Sequence, residues 1–431
     1  MERYHFIGIG GIGMSSLASI LLSRNIHVSG SDLSLNERTK FLTFLGAKVF
    51  EGHSPDFIEK GSIAVFHSRI PLDHPELEKA QSKIHRLDLL KKTIGKLPIY
   101  TVVGAHGKTS TSALLSHVMT SYDPAWGFSV GGVLKDSDLN GKDGTKGFIV
   151  EGDESDGSFL RIHPEGAILT NVDPDHLDFW GDFERLKGAY REFLSTVENS
   201  AFLFYAKDED CGLVQNGVSY GIEKGDIQAV DLKTVDDGTQ FSIIDQRDGC
   251  NVSKVYIPLI GIHQVKNALA VFGLAKSLGV PVASIKEAFS TFKGVKRRLE
   301  RMQPLFGTPT FLDYGHHPKE LTTTFLGLKD QYKKRLIVIF EPHKFTRTKS
   351  FFVEFVKALS IPDKVILLKT YAATEPYDFE GSSEKLAQKL QIEVTSEGQL
   401  GKKIQTLLKD DSILLFIGAG TIDQVCQECL L

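Results

Sequence analysis

Cysteine and tryptophan are scarce, with four and two residues in a chain of 431. Four thiols at this length do not make a disulfide framework, which belongs to small secreted domains that lack a core. Cys426 and Cys429 form a lone CxxC. With no second ligand pair nearby it reads as two thiols a turn apart on a terminal helix, not as a zinc site. Nowhere does an apolar run reach the roughly 20 residues that span a bilayer. The chain enters a strand at once, without a basic segment followed by an apolar one, so a reduced, cytoplasmic protein with no membrane partner is expected. A strong excess of either charge is also missing: 50 Lys and Arg against 54 Asp and Glu give −4. That balance excludes a general attraction to nucleic acid. The short cluster Lys333-Lys334-Arg335 reads as a solvated element end.

What is present is ordinary globular material, 41% hydrophobic and 24% charged, in a chain too long for one core. Three blocks emerge. Residues 1–98 alternate strand and helix: YHFIGI, a helical pattern from Met14, HVSGSD, a helix near Glu37–Leu45, then AKVF. Residues 99–293 repeat the alternation through IYTVVG, FIVEGDES and GAILTNV. The texture then changes to short β-like runs (FSIIDQ, KVYIPL) before a helix at Asn267–Leu278. Residues 294–431 give TFLDY, RLIVIF, KVILLK and SILLFIG, continuous apolar runs typical of strands covered on both faces. Such alternation predicts parallel sheets with right-handed crossovers. The expected fold is α/β in three domains: a Rossmann-like first, a P-loop ATPase-like central parallel sheet with a β appendage, and a Rossmann-like third.

Two glycine loops carry the chemistry. Gly8, Gly10 and Gly13 satisfy GxGxxG between a strand and a helix, with Asp32 at the end of the next strand. Glycines permit close approach to a pyrophosphate, the helix N-terminus favours its charge, and the acid accepts from a ribose hydroxyl. Any ribose diphosphate offers those handles. Gly104-Ala105-His106-Gly107-Lys108-Thr109-Ser110 is a shortened phosphate loop: backbone N–H groups form an anion nest, Lys108 adds charge for the β/γ-phosphates, and Thr109 offers a hydroxyl to Mg²⁺. Two acidic stretches, 151–156 and 171–178, fall at later strand ends, where an open α/β sheet converges on one crevice. Crowded carboxylates there suit a cation; an N-cap cluster and a turn are the plainer alternatives.

Eight segments together resemble the Mur ligases: GIGGIGM (8–14), GAHGKTST (104–111), EGDESDGSF (151–159), NVDPDHLDFWGDF (171–183), GIHQVKNALA (261–270), GVKRRLE (294–300), DYGHHP (313–318) and EPHKFTRT (341–348). The resemblance implies domains that take a UDP-sugar, ATP and an amino acid in that order. It is closest to the branch that adds L-alanine to UDP-N-acetylmuramic acid, through an acyl phosphate, during cell-wall synthesis. It implies UDP-sugar contacts at Gly10, Gly11, Ile12, Gly13, Asp32, His53, Ser68 and Arg86. For ATP it implies the 104–110 loop with Asn267 on adenine, Arg298 on phosphate and Asp313 near the ribose. Glu151 and His176 join Thr109 as ligands of two Mg²⁺ ions, for which Mn²⁺ can substitute. Tyr314 and His316 face the reacting groups, and Lys344 and Arg347 stand where the family carries two arginines for product carboxylates. Lys108, Glu151, His176, His316 and Arg347 would be the catalytic set, in a monomer or homodimer.

Departures are also visible. Lys344 for arginine loses the bidentate fork, Gln264 replaces an asparagine, and Glu341 stands where glutamine is usual. Tyr190 falls where sister ligases carry a carbamoylated lysine, which excludes that modification. Other readings are a recycling ligase that attaches a tripeptide, an NAD-dependent dehydrogenase built on Gly8–Gly13, and a catalytically silent ATP-binding regulator. The dehydrogenase leaves the second loop unexplained, and the recycling ligase's usual signature lacks the PHxxTRT pattern.

Overall fold

The central strands of the sheets are short apolar runs, such as Ile99–Val103 and Arg335–Glu341. A computed structural model of the chain describes residues 2–207 and 209–430. The first sheet has β1 (Arg3–Ile7), β2 (His27–Asp32), β3 (Lys48–Glu51), β4 (Ile63–Phe66) and β5 (Ser82–His85), in the order β3-β2-β1-β4-β5. All neighbours in it pair in parallel. β1 stops at Ile7, two residues earlier than YHFIGI suggests, because Gly8 turns the chain at φ 76°. The following helix correspondingly starts at Ile12 instead of Met14.

The second sheet has ten strands: β6 (Ile99–Val103), β7 (Trp126–Ser129), β8 (Gly141–Lys142), β9 (Gly147–Glu151), β10 (Gly166–Leu169), β11 (Leu203–Ala206), β12 (Val218–Ile222), β13 (Ile227–Val235), β14 (Gly238–Asp245) and β15 (Cys250–Ile257). Their order is β15-β14-β13-β12-β11-β10-β6-β9-β7-β8. The expected β appendage is β13 to β15, which prolong the central sheet at one edge. A strand's own pattern shows which face is buried but not which strand it pairs with. The helix expected from Asn267 begins five residues earlier, Ile262–Ser277.

The third sheet has β16 (Glu300–Arg301), β17 (Thr310–Asp313), β18 (Arg335–Glu341), β19 (Lys364–Leu367) and β20 (Ser412–Gly418), ordered β16-β17-β20-β18-β19. All seven residues of β20 are buried, as its unbroken apolar run implies. Cys426 and Cys429 lie on the helix Ile422–Leu430, Cys426 fully buried.

By contacts the chain forms two compact units. One runs up to Leu232 and adds Gln240–Pro258 and Val265–Gly294; the other comprises Lys233–Thr239, Leu259–Gln264 and the chain from Val295. The first sheet and most of the second lie in the first unit, and one apolar cluster runs through both, from Tyr4 and Phe6 to Phe148, Tyr190 and Phe193. Polar bolts join them as well: Asn140 Nδ2 donates to the Ile12 carbonyl at 2.7 Å, and Arg24 pairs with Asp143 at 2.6 Å.

At the end of β14, Asp245 is fully buried and takes Arg247 Nη2 and Lys276 Nζ, each at 2.8 Å. Burial alone would raise its pKa; the hydrogen bonds from Arg247 and Lys276 overcome this and bring it down to about 2. A folded value below the unfolded one of about 3.9 means stability present above pH 4 and lost as pH falls toward 2, about 2 kcal/mol in all. Asp245→Asn should lower the thermal midpoint at pH 7 by several degrees and much less near pH 2. An equal loss at both would show that the ion pair is not the source.

Candidate active site

The first glycine loop is shaped by what its glycines touch. Gly8 and Ile9 N–H both donate to the Ser31 carbonyl, at 2.8 and 3.0 Å. Gly10 N–H donates to Asp32 Oδ2 at 2.8 Å, and a Cβ on Gly10 would stand 2.9 Å from that oxygen. A Cβ on Gly13 would meet Arg86 Nη1 at 2.7 Å, so Arg86 lies over the start of the helix Ile12–Ser23, whose N-cap Gly11 has no side-chain cap. Ser68 Oγ lies 3.1 Å from His85 Nε2, and Ser31 Oγ lies 2.9 Å from His53 Nδ1. The structure thus brings Gly10, Gly11, Ile12, Gly13, Asp32 and Arg86 together, and ties His53 to them through Ser31. His67, absent from the sequence-based candidates, has Nε2 within 3.6 Å of where a Gly8 Cβ would sit. Burial and then Arg86 and Arg69 depress it to about 4, so the ring is neutral.

The second loop is tighter. Gly104 has φ 137° and Gly107 φ 80°, the latter capping the helix Lys108–Tyr122. Asn171 clasps the loop: its Oδ1 accepts His106 N–H at 2.9 Å, its Nδ2 donates to the His106 carbonyl at 2.9 Å, and its carbonyl accepts Ala105 N–H at 3.2 Å. Asn267 Oδ1 would lie 3.3 Å from a Gly107 Cβ, so its amide rests on the loop.

Lys108 Nζ donates to the Gly104 carbonyl at 2.7 Å and to Glu154 Oε1 at 2.7 Å. Burial works against the ammonium, but Glu154 and Asp153 beside it hold its pKa above the ordinary lysine value. Glu154 is buried, and burial pushes it up to about 7. Glu151 Oε1 accepts from Thr109 Oγ1 at 2.8 Å; its Oε2 accepts from Ser112 Oγ at 2.9 Å and Gly131 N–H at 2.7 Å. His176, in the left-handed region at φ 53°, is 3.7 Å from Asp175 and 4.0 Å from Glu154.

These residues suit a magnesium nucleotide. A hydroxyl and a carboxylate oxygen 2.8 Å apart, on Thr109 and Glu151, are the hard donors that Mg²⁺ selects, and such ions keep waters and phosphate oxygens for the rest of their shell. Among the described residues no three His, Cys, Asp or Glu converge as a complete cage. The three metal candidates fall in two places, Thr109 with Glu151 and His176 against Glu154 and Asp175. The second of these gives His176 an oxygen-rich setting.

The remaining candidates belong to the second unit. Asp313 is buried, accepts Leu299 N–H at 2.6 Å and Gly315 N–H at 2.7 Å, and has its pKa raised by burial. The Arg298 guanidinium lies 5.0 Å over the Tyr314 ring, and Tyr314 meets His316 edge-on at 5.4 Å. Arg347 Nη1 is 3.2 Å from His343 Nδ1, and His343 stacks on Tyr371 at 5.6 Å. Burial, then the cations around it, depress His343 to about 3, so Arg347 donates to a neutral ring. Lys344 holds φ 70°, an unusual value for a side-chain-bearing residue, secured by its N–H to the Tyr371 carbonyl at 2.8 Å. Glu341 does not project charge into this group: it is buried, its pKa is raised, and it accepts from Thr421 Oγ1 at 2.7 Å and Ile422 N–H at 3.3 Å. Gln264 sits buried in the first turn of Ile262–Ser277.

Three family models match the chain in order: "Mur ligase family, catalytic domain" over residues 3–98, "Mur ligase middle domain" over 102–275 and "Mur ligase, glutamate ligase domain" over 297–420. A UDP-N-acetylmuramate–L-alanine ligase of Aquifex aeolicus (strain VF5) is 35% identical across 100% of this chain and 97% of its own length. One from Protochlamydia amoebophila (strain UWE25) is 36% identical across 99% and 97%. Among solved structures, the UDP-N-acetylmuramate-alanine ligase of Thermotoga maritima matches with a TM-score of 0.86 at 26% identity, covering 100% of this chain and 98% of that one. A murein peptide ligase of Psychrobacter arcticus 273-4 matches with a TM-score of 0.73 at 22% identity over 100% and 98%, a likeness of fold alone.

Proposed function

This chain belongs to the Mur ligase family, and we propose that within it the chain joins L-alanine to the carboxylate of UDP-N-acetylmuramic acid, in an ATP-dependent step of peptidoglycan precursor synthesis. The reading is carried by full-length identity of 33–36% to relatives named for that reaction. When bound, Mg²⁺–ATP would supply the γ-phosphoryl group that turns the carboxylate into an acyl phosphate with ADP leaving, and the alanine amine would then displace phosphate and lose a proton to form the amide. The protein's part is alignment and charge cancellation, as in phosphoryl transfer generally. Gly104 to Ser110 would cradle the triphosphate with Lys108 as its cation, while Thr109 and Glu151 would hold one Mg²⁺ and His176 a second. Asn267, Arg298 and Asp313 would complete the ATP contacts. Gly10 to Gly13, Asp32, His53, Ser68 and Arg86 would hold the UDP-sugar. Tyr314, His316, Lys344 and Arg347 would hold the amino acid and its carboxylate. The same reading divides the chain into domains 1–98, 99–293 and 294–431 and places it in the cytoplasm as a monomer or homodimer.

The test is phosphate release with UDP-N-acetylmuramic acid, ATP, Mg²⁺ and a panel of amino acids. Release that requires both sugar and L-alanine is expected. Turnover with L-alanyl-γ-D-glutamyl-diaminopimelate but not with alanine would replace it with the recycling reading.

Lys344→Arg checks the carboxylate assignment. The backbone at Lys344 is fixed by Tyr371, so only the head group changes. A guanidinium restores the two-pronged contact and should lower KM for alanine by about twofold to tenfold with kcat nearly unchanged. A sharp rise in KM would show that the position does not meet a carboxylate.

A further inference from the structure

The helix Pro75–Lys79 buries a carboxylate bonded to Ser31, whose carbonyl accepts the Gly8 and Ile9 N–H groups of the first glycine loop. Glu76 is fully buried. Its Oε2 takes Ser31 Oγ at 2.7 Å and His5 Nε2 at 3.2 Å; its Oε1 takes Ser54 N–H at 3.0 Å and lies 3.3 Å from His53 Nδ1. Burial would raise its pKa, yet the bonds from His5 and Ser31 bring it below the usual glutamate value. It is a carboxylate that accepts only, and its partners can therefore be assigned. The Ser31 hydroxyl spends its hydrogen on Glu76, so Ser31 Oγ, 2.9 Å from His53 Nδ1, can only accept there. Both oxygens facing Nδ1 demand a hydrogen on it. A ring whose one hydrogen sits on Nδ1 offers Nε2 solely as an acceptor, and the His74 ring buttresses it edge-on at 4.7 Å.

Position says what that acceptor reads. β1, β2 and β3 are neighbours, and their C-terminal ends carry in turn the glycine loop, Asp32 and His53. A nucleoside diphosphate has its parts in the same order: diphosphate, ribose, base. Strands lie about 4.8 Å apart, so a ligand with its diphosphate on the loop and its ribose at Asp32 brings its base to His53. We propose that Glu76 is a positioning residue which, by fixing the His53 tautomer, makes the front site select a base bearing a ring N–H donor, uracil over cytosine. Uracil N3 carries a hydrogen and cytosine N3 does not. This rests on the reading of the loop as a UDP-sugar site.

Isothermal titration of UDP and CDP at pH 8 tests it. The unaltered protein should bind UDP about tenfold more tightly than CDP, the discrimination of one well-placed hydrogen bond. In Glu76→Gln, whose amide can donate toward His53 and unsettle the tautomer, that ratio should fall to about twofold, chiefly through weaker UDP binding. A melting curve establishes that the variant is folded. A folded Glu76→Gln that keeps the ratio, or weakens both nucleotides equally, overturns the proposal, since a merely structural role predicts the latter. Should Glu76→Gln not fold, His53→Phe carries the same test: a collapsed ratio supports the assignment and an unchanged one overturns it. A wild-type chain that binds neither nucleotide overturns the UDP-site reading as well, whereas UDP binding with an unmoved ratio overturns the Glu76 assignment alone.

Discussion

Lys108→Ala should reduce turnover by about a thousandfold or more while leaving the protein folded, because it removes a cation from a transition state stabilised by preorganised charge. Lys108 Nζ is caged by the Gly104 carbonyl and Glu154 Oε1, each at 2.7 Å. A buried lysine held this firmly can act as a fixed cation and loses little freedom on meeting phosphate. Its loss strips Glu154 of its partner, yet the fold tolerates this. Burial has already brought Glu154 up to about 7, and without the ammonium it rises further and takes up a proton, so no bare charge is left inside. The expected pair of results is thus near-total loss of phosphate release with a melting point only a few degrees lower. Near-normal release from Lys108→Ala would remove the 104–110 loop from the ATP site. A collapsed fold would mean that the Lys108–Glu154 pair is structural first.

How far the sequence carried this picture depended on whether a signal was local. The glycine loops were legible because Gly8, Gly104 and Gly107 are demanded by backbone conformations at φ 76°, 137° and 80° that other residues enter at a cost. The long strands β18 and β20 were legible as unbroken apolar runs. β4 and β5, four residues each and partly exposed, carry too little pattern to register. The pairing of β13 to β15 with the central sheet is a tertiary fact that no strand announces. At the site, Glu151 stood out by its place at a strand end, but Glu154 was one acid among several until the fold put it against Lys108. Asn171 lay inside a quoted motif with no role, because its clasp on His106 spans 65 residues. His343 lay inside EPHKFTRT with no role assigned, and His67 and Tyr371 gave no sequence signal at all: a ring neutralised by burial and nearby cations, and a stacked ring pair, exist only after folding.

Gly104→Ala should be the most destabilising single methyl in the phosphate loop. Alanine at φ 137° is strained before any contact is considered, at about 1–3 kcal/mol. Its Cβ would also stand 2.1 Å from Thr170 Oγ1, 2.9 Å from the Asn171 carbonyl oxygen and 3.0 Å from Asn171 N. Thr170 can rotate, but its hydroxyl then abandons the His106 carbonyl, which it meets at 2.7 Å. Asn171 backbone cannot retreat, because its carbonyl accepts Ala105 N–H and its side chain clasps His106. Either the loop moves off Asn171 or the end of β10 bends, and both unmake the nest that receives phosphate. A fall of roughly 10 °C in melting point is expected from about 3–5 kcal/mol of strain and overpacking, with ATP protection against melting lost as well. Gly188→Ala is the matched control: it lies in the helix Phe183–Ser195 with nothing within 4 Å of a new Cβ. There the methyl should stabilise by about 0.5–1 kcal/mol through helix propensity. If Gly104→Ala melts like the wild type and still gains stability from ATP, the left-handed turn is not what shapes the loop. Phosphate would then be held by side chains instead of the backbone nest.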